Sequence, residues 1–291
     1  MNIVIFGGGV VGQCYAEALA AQGHTIAGFV DPQPGAALRG LAQRLGAGVH
    51  AAPGAWLHAA QMAVSAVFGT VALQVARQAF AHLPPGALYV DMTTADPDDM
   101  RQAAREAEAG GHRFVDVAIT GAVNLSGART PVLCSGTAAP EVAALLGACG
   151  APVRTVGARP GDAAALKLLR SIFTKGMEAL AVECLVTAEQ QGLRAELHDV
   201  LLDIDQGSLR ETMESMVRTH IPHAGRRRNE VVEAQRQMRL AGVEPIVLPG
   251  VQQLFEHTVQ GQVDAPYAGS STADALAWLA TLARTPPAGR A

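Results

Sequence analysis

The sequence predicts an α/β domain with a doubly wound, mostly parallel sheet over residues 1–160, followed by an all-α domain over residues 161–291. The first observation behind this is that short β-branched or apolar runs alternate with alanine-rich helical patterns up to about Gly157. The second is that helical periodicity dominates the chain after Pro160 and Gly161. A length of 291 residues also suits two hydrophobic cores better than one.

Seven strands and five helices are predicted in the first domain. The strands fall at residues 2–6, 25–30, 62–67, 87–90, 113–117, 132–135 and 153–156. The helices fall at residues 11–22, 38–45, 72–81, 98–109 and 140–149, and glycines follow three of them as plausible stops. In the second domain, helix breaks are predicted near Gly192, near Ile221 and Pro222, at residues 242–245 and at residues 261–271.

Composition and charge argue against several classes of function. Charged residues make up 16% of the chain, the formal net charge is -4 and the one basic run is Arg226–Arg228, so we expect no nucleic-acid partner. Charged side chains interrupt residues 163–186, the most apolar long stretch, which argues against a membrane span. The four cysteines lack metal-ligand spacing, and no cationic export signal precedes the first strand. We therefore expect a cytoplasmic protein with reduced thiols and no metal site.

A glycine-rich turn follows the first predicted strand. Residues 7–12 read Gly-Gly-Gly-Val-Val-Gly and contain the pattern G-x-G-x-x-G between a strand and a helix. Gly7 permits the tight turn, Gly9 allows close approach of a pyrophosphate, and Gly12 allows close packing of the helix on the strand. Val10 and Val11 begin the helix whose free N–H groups would face the phosphates. The pattern predicts a Rossmann domain that binds a nicotinamide dinucleotide; the alternative is a glycine-rich turn without a ligand.

Further cofactor contacts are expected at the ends of later strands. Asp31 closes the second strand about 20 residues after the glycines, where its carboxylate would accept hydrogen bonds from the ribose hydroxyls. This favours NAD, although Arg39 leaves NADP open and Asp31 also suits the start of a turn. Phe68 and Gly69 follow the third strand, Thr93 and Thr94 follow Asp91, and all four are candidate contacts. Both segments could equally be ordinary loops, with Thr94 capping the next helix.

The segment 163–183 carries a polar stripe at helical spacing. Its members are Lys167, Arg170, Ser171, Thr174, Lys175 and Glu178. Because nearly everything between them is apolar, we expect a helix that is buried on most of its circumference and borders a cleft. A lysine crowded by cations and partly desolvated has a lowered pKa, so Lys167 is the candidate general acid/base. Ser171 would hydrogen-bond the substrate, and Arg170 and Lys175 imply an anionic one. The alternative is a solvated face of a surface helix.

A second basic cluster consists of His220, His223 and Arg226–Arg228. It could extend an anion site. A solvated helix end explains the same residues equally well. The cluster is therefore not included among the expected catalytic residues.

Four motifs resemble the β-hydroxyacid dehydrogenase family, which is similar to 6-phosphogluconate dehydrogenase. Residues 5–12 match its cofactor loop, and residues 91–94 resemble its D-x-S-T motif. Residues 114–122 are similar to its substrate-binding D-A-P-V-S-G-G, and residues 161–167 resemble the stretch that bears its catalytic lysine. The segment 167–180, with His223 and the following arginines, looks closer to an uncharacterised phosphogluconate-dehydrogenase-like branch.

This resemblance implies reversible NAD(P)-dependent oxidation of a 3-hydroxyacid or sugar acid, without a metal. Lys167 would act on the hydroxyl, and Ser171 stands where the family has asparagine. Thr120, Gly121 and Ala122 would bind the substrate, and their sequence replaces the Ser-Gly-Gly of the family. A homodimer through the helical domain is also implied.

Two other functions remain open at this stage. One is an imine reductase of the same architecture, in which the resemblance implies aspartate or tyrosine in place of the lysine. The other is a non-catalytic protein that senses dinucleotides. Retention of Lys167 favours the hydroxyacid dehydrogenase over both.

Overall fold

The computed structural model describes residues 1–283, in two compact units divided between Ile172 and Phe173. The first unit is built on a β-sheet, and the described part of the second is helical. The predicted order, an α/β part and then an all-α part, is confirmed. Residues 284–291, which close the predicted second domain, lie outside the described residues.

The first unit contains one sheet of eight strands. The strands are β1 (Asn2–Phe6), β2 (Thr25–Val30), β3 (Gly48–His50), β4 (Met62–Ser65), β5 (Leu88–Asp91), β6 (Arg113–Ile119), β7 (Val132–Ser135) and β8 (Val153–Gly157). Their spatial order is β3-β2-β1-β4-β5-β6-β7-β8. The chain order reverses at β1, which lies between β2 and β4. Such a switch point opens a crevice beyond the carboxyl ends of the strands.

All seven predicted strands are present, with small shifts at their ends. The eighth, β3, was missed because three residues are too few to show an alternating pattern. Neighbouring strands are parallel except β6 and β7, which are antiparallel. The connection between these two contains the short helix α5 (Val123–Ser126), which suits an antiparallel return rather than a full crossover.

Helices cover both faces of the sheet. They are α1 (Val10–Ala21), α2 (Ala36–Leu45), α3 (Ala72–Phe80), α4 (Pro97–Ala109) and α6 (Ala139–Ala148). Side chains alternate along a strand, so Ile3 and Ile5 join one apolar cluster with residues of α1, α2 and α6. Val4 and Phe6 join the other cluster with residues of α3 and α4. The two clusters hold the sheet from both of its faces.

The turn from β1 into α1 depends on the absence of side chains at two positions. A Cβ on Gly12 would lie 1.9 Å from the carbonyl oxygen of Gly7. Gly7 has φ +91°, and a Cβ there would lie 2.5 Å from the carbonyl oxygen of Ala66. A Cβ on Gly9 would meet no atom within 4 Å. Gly7 and Gly12 are therefore required for packing, whereas Gly9 borders open space.

Six helices are described in the chain after β8. They are α7 (Asp162–Gln191), α8 (Arg194–Val200), α9 (Leu202–Asp205), α10 (Leu209–Leu240), α11 (Leu248–Asp264) and α12 (Thr272–Leu282). Helix α7 passes through the division between the two units. The predicted breaks near Gly192, at 242–245 and at 261–271 are confirmed.

The predicted break at Pro222 is wrong, because Pro222 lies inside the continuous helix α10. An interior proline removes a helical hydrogen bond and costs about 3 kcal/mol. Tertiary contacts offset this cost. Ile221 is fully buried, and its carbonyl oxygen accepts a hydrogen bond from the side-chain amide of Gln262 on α11 at 2.9 Å.

Glu183 of α7 binds the start of α11. Its carboxylate accepts hydrogen bonds from the backbone N–H groups of Val247 at 2.8 Å, Leu248 at 3.1 Å and Ile246. Burial alone would raise the pKa of Glu183, but these donors outweigh it and lower the pKa below its usual value. The carboxylate therefore serves as the N-terminal cap that α11 lacks in its own sequence.

The expectation that α7 is buried on most of its circumference is wrong for this single chain. Ile172 is 73% exposed and Val182 is 59% exposed, along with several other apolar residues of the helix. The periodicity indicated that most residues of this helix are apolar. It does not indicate whether other parts of the protein bury them. Among the described residues, no helix is both long enough and apolar enough to cross a bilayer.

The glycine turn generates a matched pair of substitutions. Gly12→Ala is expected to lower the free energy of unfolding by about 1–3 kcal/mol, because its Cβ overlaps the Gly7 carbonyl. Gly9→Ala is expected to leave the free energy of unfolding within about 0.5 kcal/mol of wild type. Urea denaturation followed by circular dichroism measures both. Equal loss in the two variants would contradict the packing role of Gly12.

Candidate active site

A cleft of about 820 Å³ lies at the carboxyl edge of the sheet, at the switch point beside β1. Its walls come from the ends of β1, β2 and β4 and from the loop after β3. They include most of the predicted cofactor residues: Gly7, Gly9, Val10, Val11, Asp31 and Phe68. Gly12 packs beneath the turn, and Thr93 lines an adjoining cavity.

The amino end of α1 opens onto this cleft without a side-chain cap. Gly9 is the N-cap residue and offers no side chain, and the first backbone bond within the helix runs from Gln13 N to Gly9 O at 3.0 Å. The N–H groups of the first turn therefore have no helical acceptor. Together with the open space beside Gly9, they fit the pyrophosphate of a dinucleotide.

Asp31 ties the glycine turn to the loop after β2. Its Oδ2 accepts a hydrogen bond from Gly8 N and its Oδ1 accepts one from Gln33 N, both at 2.8 Å. Among the described residues that line the cleft, Asp31 is the charged one and there is no lysine or arginine. A carboxylate here suits free ribose hydroxyls and repels a 2'-phosphate.

A second cavity of about 410 Å³ adjoins the cleft. The two share the walls formed by Val10, Val11, Ala66 and Val67. The second cavity is also lined by Met92, Thr93, Thr94, Gly121, Asn124 and Lys167. A dinucleotide lying along the cleft would therefore direct one end toward Lys167.

Lys167 donates a hydrogen bond from Nζ to Oγ1 of Thr94 at 2.5 Å. Burial lowers the pKa of Lys167 below its ordinary value of 10.5, and the charge of Arg170 lowers it further. Asp116 opposes both effects. An amine with a lowered pKa exchanges protons more readily near neutral pH than an exposed lysine does.

Thr94 is held in an unusual conformation. Its φ is +69°, in the left-handed region that a β-branched residue rarely adopts. The preceding turn is fixed by Asp91, whose Oδ1 accepts hydrogen bonds from N of Thr93 at 2.9 Å and from its Oγ1 at 2.5 Å. Helix α4 is capped by Asp96 instead, so Thr94 is not the helix cap that one reading of the sequence allowed.

Several residues predicted to bind the substrate do not line the cavity and instead contact other parts of the protein. Thr120 donates from Oγ1 to the carbonyl oxygen of Pro131 at 3.0 Å, and Ser171 donates to that of Lys167 at 3.0 Å. Gly121 lines the described cavity. The lining residues do not include Thr120, Ser171, Ala122 or Arg170. Lys175 forms an exposed ion pair with Glu178 at 2.7 Å.

The basic cluster of α10 has structural partners. Nε2 of His220 shares a hydrogen bond with Oγ1 of Thr258 at 2.8 Å, and its ring stacks on Phe255. Arg227 donates to Oγ1 of Thr219 at 2.9 Å, and Arg226 pairs with Glu230. These contacts join α10 to α11 and stabilise the surface of α10.

Sequence reasoning missed two residues of the site, Asn124 and Asp116, and the lysine partner of a third, Thr94. Thr94 was a candidate cofactor contact but was not expected to bind Lys167, whereas Asn124 carried no pattern. Asp116 was quoted within a motif but given no role, although it is buried and accepts three hydrogen bonds. A charged residue inside an apolar strand pattern was the available signal for Asp116.

Comparison with known proteins identifies the family. The family model for the NAD binding domain of 6-phosphogluconate dehydrogenase matches residues 2–157, more than half of the 291 residues. The chain belongs to this family. A domain of unknown function, DUF1932, matches residues 188–258. The resemblance stated from the motifs is therefore confirmed, and the first unit of this 6-phosphogluconate dehydrogenase relative is a NAD-binding domain.

Two of the similar proteins are described without an activity. An uncharacterised 28.5 kDa protein of Methanothermus fervidus is 27% identical over 194 residues, which cover 67% of this chain and 74% of that one. A solved protein of unknown function, described as similar to 3-hydroxyacid dehydrogenases, is 28% identical with a TM-score of 0.62, covering 90% of this chain and 98% of its own.

Imine reductases share the fold as well. The structure of an imine reductase variant from Myxococcus stipitatus in complex with NAD+ has a TM-score of 0.75. It is 18% identical and covers 96% of this chain and 99% of its own. At this identity the likeness concerns the fold alone.

The Asp31 geometry predicts a preference for NADH over NADPH in direct binding. Asp31→Ala is expected to weaken NADH binding by about tenfold, because hydrogen bonds to a charged group are worth about 1.5–3 kcal/mol. The same change should narrow the preference, since it removes the charge that repels the 2'-phosphate. Isothermal titration calorimetry with both nucleotides measures this. Asp98→Asn, an exposed acid on α4, serves as the control, and tighter binding of NADPH to the wild type would refute the preference.

Proposed function

We propose that this protein transfers a hydride between a nicotinamide dinucleotide and a small anionic hydroxyacid of the 3-hydroxyacid or sugar-acid type. The supporting observation is the desolvated Lys167 in a cavity that shares its wall with the NAD cleft. When bound, the cofactor would accept or donate the hydride. The chain's own residues would bind the substrate and move the proton.

Lys167 is proposed as the general acid/base. Oxidation of a secondary alcohol to a ketone releases one hydride and one proton. Neutral Nζ of Lys167 would take the proton from the hydroxyl, and the protonated amine would return it in the reverse direction. Thr94 would hold Nζ in position through its hydrogen bond.

An anionic substrate is favoured by the local charge. Lys167 and the neighbouring Arg170 on α7 are cationic, whereas Asp116 is buried beneath the surface of the sheet edge. Asn124 and the backbone of Gly121 line the same cavity and offer hydrogen bonds to a small polar molecule. The family resemblance implies Thr120, Ala122 and Ser171, and the polar stripe of α7 implies Lys175; none of these four lines the described cavity.

An imine reductase is the second candidate. It is favoured by the high structural similarity to several imine reductases and reductive aminases. A protonated lysine could donate to the nitrogen of an imine as it does to a carbonyl oxygen. Chemistry at an anionic hydroxyacid suits Lys167, the charged residue among those that line the cavity, better than a neutral cyclic imine does.

We further propose that the protein works as a homodimer in the cytoplasm. Helices α7, α8 and α10 of the second unit border an apolar groove of about 540 Å³. Among its lining residues, Leu180, Leu193 and Val200 are all at least 41% exposed. Monomers rarely leave such surfaces in water, so a second copy is the proposed occupant. The four cysteines are all free thiols, which suits a reducing compartment.

Lys167→Met is expected to lower turnover by about 10²–10⁴-fold while leaving NADH affinity within about twofold.

For the wild type, the oxidation rate should rise with pH through the pKa of Lys167, because the neutral amine is required. That midpoint should lie below 10.5. The reduction rate should fall through the same midpoint. Absorbance of the reduced cofactor, measured against panels of hydroxyacids, sugar acids and cyclic imines, reports all of these rates.

Arg44→Met provides a matched control for that experiment, since Arg44 forms an exposed ion pair on the same unit. Turnover of imines alone would assign the second candidate function. Cofactor binding without turnover of any panel member would favour a dinucleotide sensor. Full activity of Lys167→Met would refute the assigned role of the lysine.

The dimer is tested by mass. Light scattering after gel filtration should give twice the chain mass of 30.1 kDa. Leu180→Glu should shift the protein toward the monomer, because it introduces a charge into the apolar groove. Val263→Glu, on an exposed part of α11 outside that groove, should remain dimeric. A monomeric wild type at micromolar concentration would refute the proposal.

A further inference from the structure

Four buried polar side chains form a row across the sheet below the site. The strand register pairs Ser65 of β4 with Asp91 of β5, Asp91 with Asp116 of β6, and Asp116 with Ser135 of β7. Each of the four is at most 1% exposed. Carboxylates at such depth are costly unless hydrogen bonds compensate them. Each of the two acids holds a different part of the site in place.

Asp116 holds the first turn of α7. Its Oδ2 accepts hydrogen bonds from the backbone N–H groups of Gly161 and Ala164, both at 3.0 Å. Oγ of Ser135 donates to the same oxygen at 3.0 Å and accepts from Ala163 N at 3.1 Å. Lys167 lies three residues after Ala164 on the same helix. The position of the lysine therefore depends on the anchor at Asp116.

Asp91 holds the partner of the lysine. It accepts both hydrogen bonds of Thr93 through one oxygen, as described above, and the next residue, Thr94, receives the hydrogen bond from Lys167. Because Thr94 adopts a left-handed backbone conformation, the turn needs an external constraint to persist. The Asp91 carboxylate supplies that constraint.

The charges around the pair also couple it to the lysine. Burial raises the pKa of Asp91 to about 6, and neighbouring Asp116 adds to this effect. Burial raises the pKa of Asp116 too. The groups that act on Lys167 are Arg170, which lowers its pKa, and Asp116, which raises it. Removal of Asp116 should therefore change the pKa of Lys167 directly. Asp91 acts on Lys167 through the turn that carries Thr94.

We propose that Asp91 and Asp116 are a pair of positioning residues that set the geometry of the Lys167–Thr94 hydrogen bond from two adjacent strands. Asp116 fixes the helix that carries the donor, and Asp91 fixes the turn that carries the acceptor. The inference rests on the proposed role of Lys167 in the reaction. Its test, however, needs no turnover.

The sequence offers a direct readout, because the chain contains two lysines, Lys167 and Lys175. Labelling with [ε-¹³C]lysine gives two side-chain signals in a heteronuclear NMR spectrum, and Lys167→Met assigns them. The pH midpoint of the Lys167 signal is then recorded in the full-length protein without ligand. The variants are Asp116→Asn, Asp91→Ala and Asp91→Asn, with the exposed Asp98→Asn as the matched control.

Asp116→Asn should move the Lys167 midpoint to lower pH, because it removes the charge that favours the protonated amine and weakens the charge-assisted hydrogen bonds that hold the first turn of α7. Asp91→Ala should also move it to lower pH, because a released Thr94 no longer accepts the hydrogen bond that stabilises the charged form. Asp91→Asn should restore the wild-type midpoint, since the amide oxygen still accepts from Thr93. Asp98→Asn should leave it unchanged.

A wild-type midpoint in folded Asp116→Asn, or equal midpoints in Asp91→Ala and Asp91→Asn, would overturn the proposal. Loss of packing alone would lower the melting temperature without this pattern of shift and rescue. If Asp91→Ala fails to fold, Thr93→Val removes one of the two hydrogen bonds and should shift the midpoint in the same direction. If Asp116→Asn fails to fold, Ser135→Ala should give a smaller shift of that direction, and no shift counts against the anchor.

The outcome is separable from that of the proposed function. A protein without dehydrogenase activity can still show the predicted NMR pattern, in which case only the function fails. In an active enzyme, Asp91→Ala should lower kcat by about 10²-fold through misplacement of the reacting groups. Asp91→Asn should recover most of that loss, with NADH affinity equal in both variants.

Discussion

The hydrogen bonds from Gly161 and Ala164 to the buried carboxylate of Asp116 determine where α7 begins. The apolar clusters on the two faces of the sheet are formed mainly by residues of the strands and crossover helices. The cavity beside Thr94 would not acquire its lysine, because α7 reaches the sheet edge through that first turn. A strand residue thus acts as the cap of a helix that lies 45 residues later in the chain, and the site is assembled by that long-range contact.

The first unit has two adjoining pockets, a cleft at the end of β1 and a smaller cavity beside Lys167. The cleft at the end of β1 has the uncapped helix terminus and the carboxylate of Asp31 that a dinucleotide requires. The smaller cavity has an amine and an amide side chain, which suit the small polar substrate of the proposed function. The valines at the start of α1 belong to both walls. Cofactor and substrate would therefore meet at the residues that follow the glycine turn.

Local signals in the sequence were sufficient for the sheet and the glycine turn. Alternating apolar runs and the spacing of Gly7, Gly9 and Gly12 reflect constraints within a few residues of each other. β3 was too short to give such a signal. Pro222 gave a false one, because contacts with α11 outweigh the local preference of proline. Lys167 followed from its stripe of polar neighbours, whereas Thr94 and Asp116 depend on contacts more than 40 residues away in the chain.

The unusual backbone of Thr94 has a consequence for how this site tolerates change. Glycine would adopt φ +69° without strain, and asparagine would do so more easily than threonine. A substitution that relaxes the turn would therefore tend to make the fold more stable, yet glycine would leave the amine without its hydroxyl neighbour. Under the role proposed for Lys167, screens for thermostability alone would select replacements at Thr94 that compromise the chemistry, so stability and activity would be opposed at a single residue.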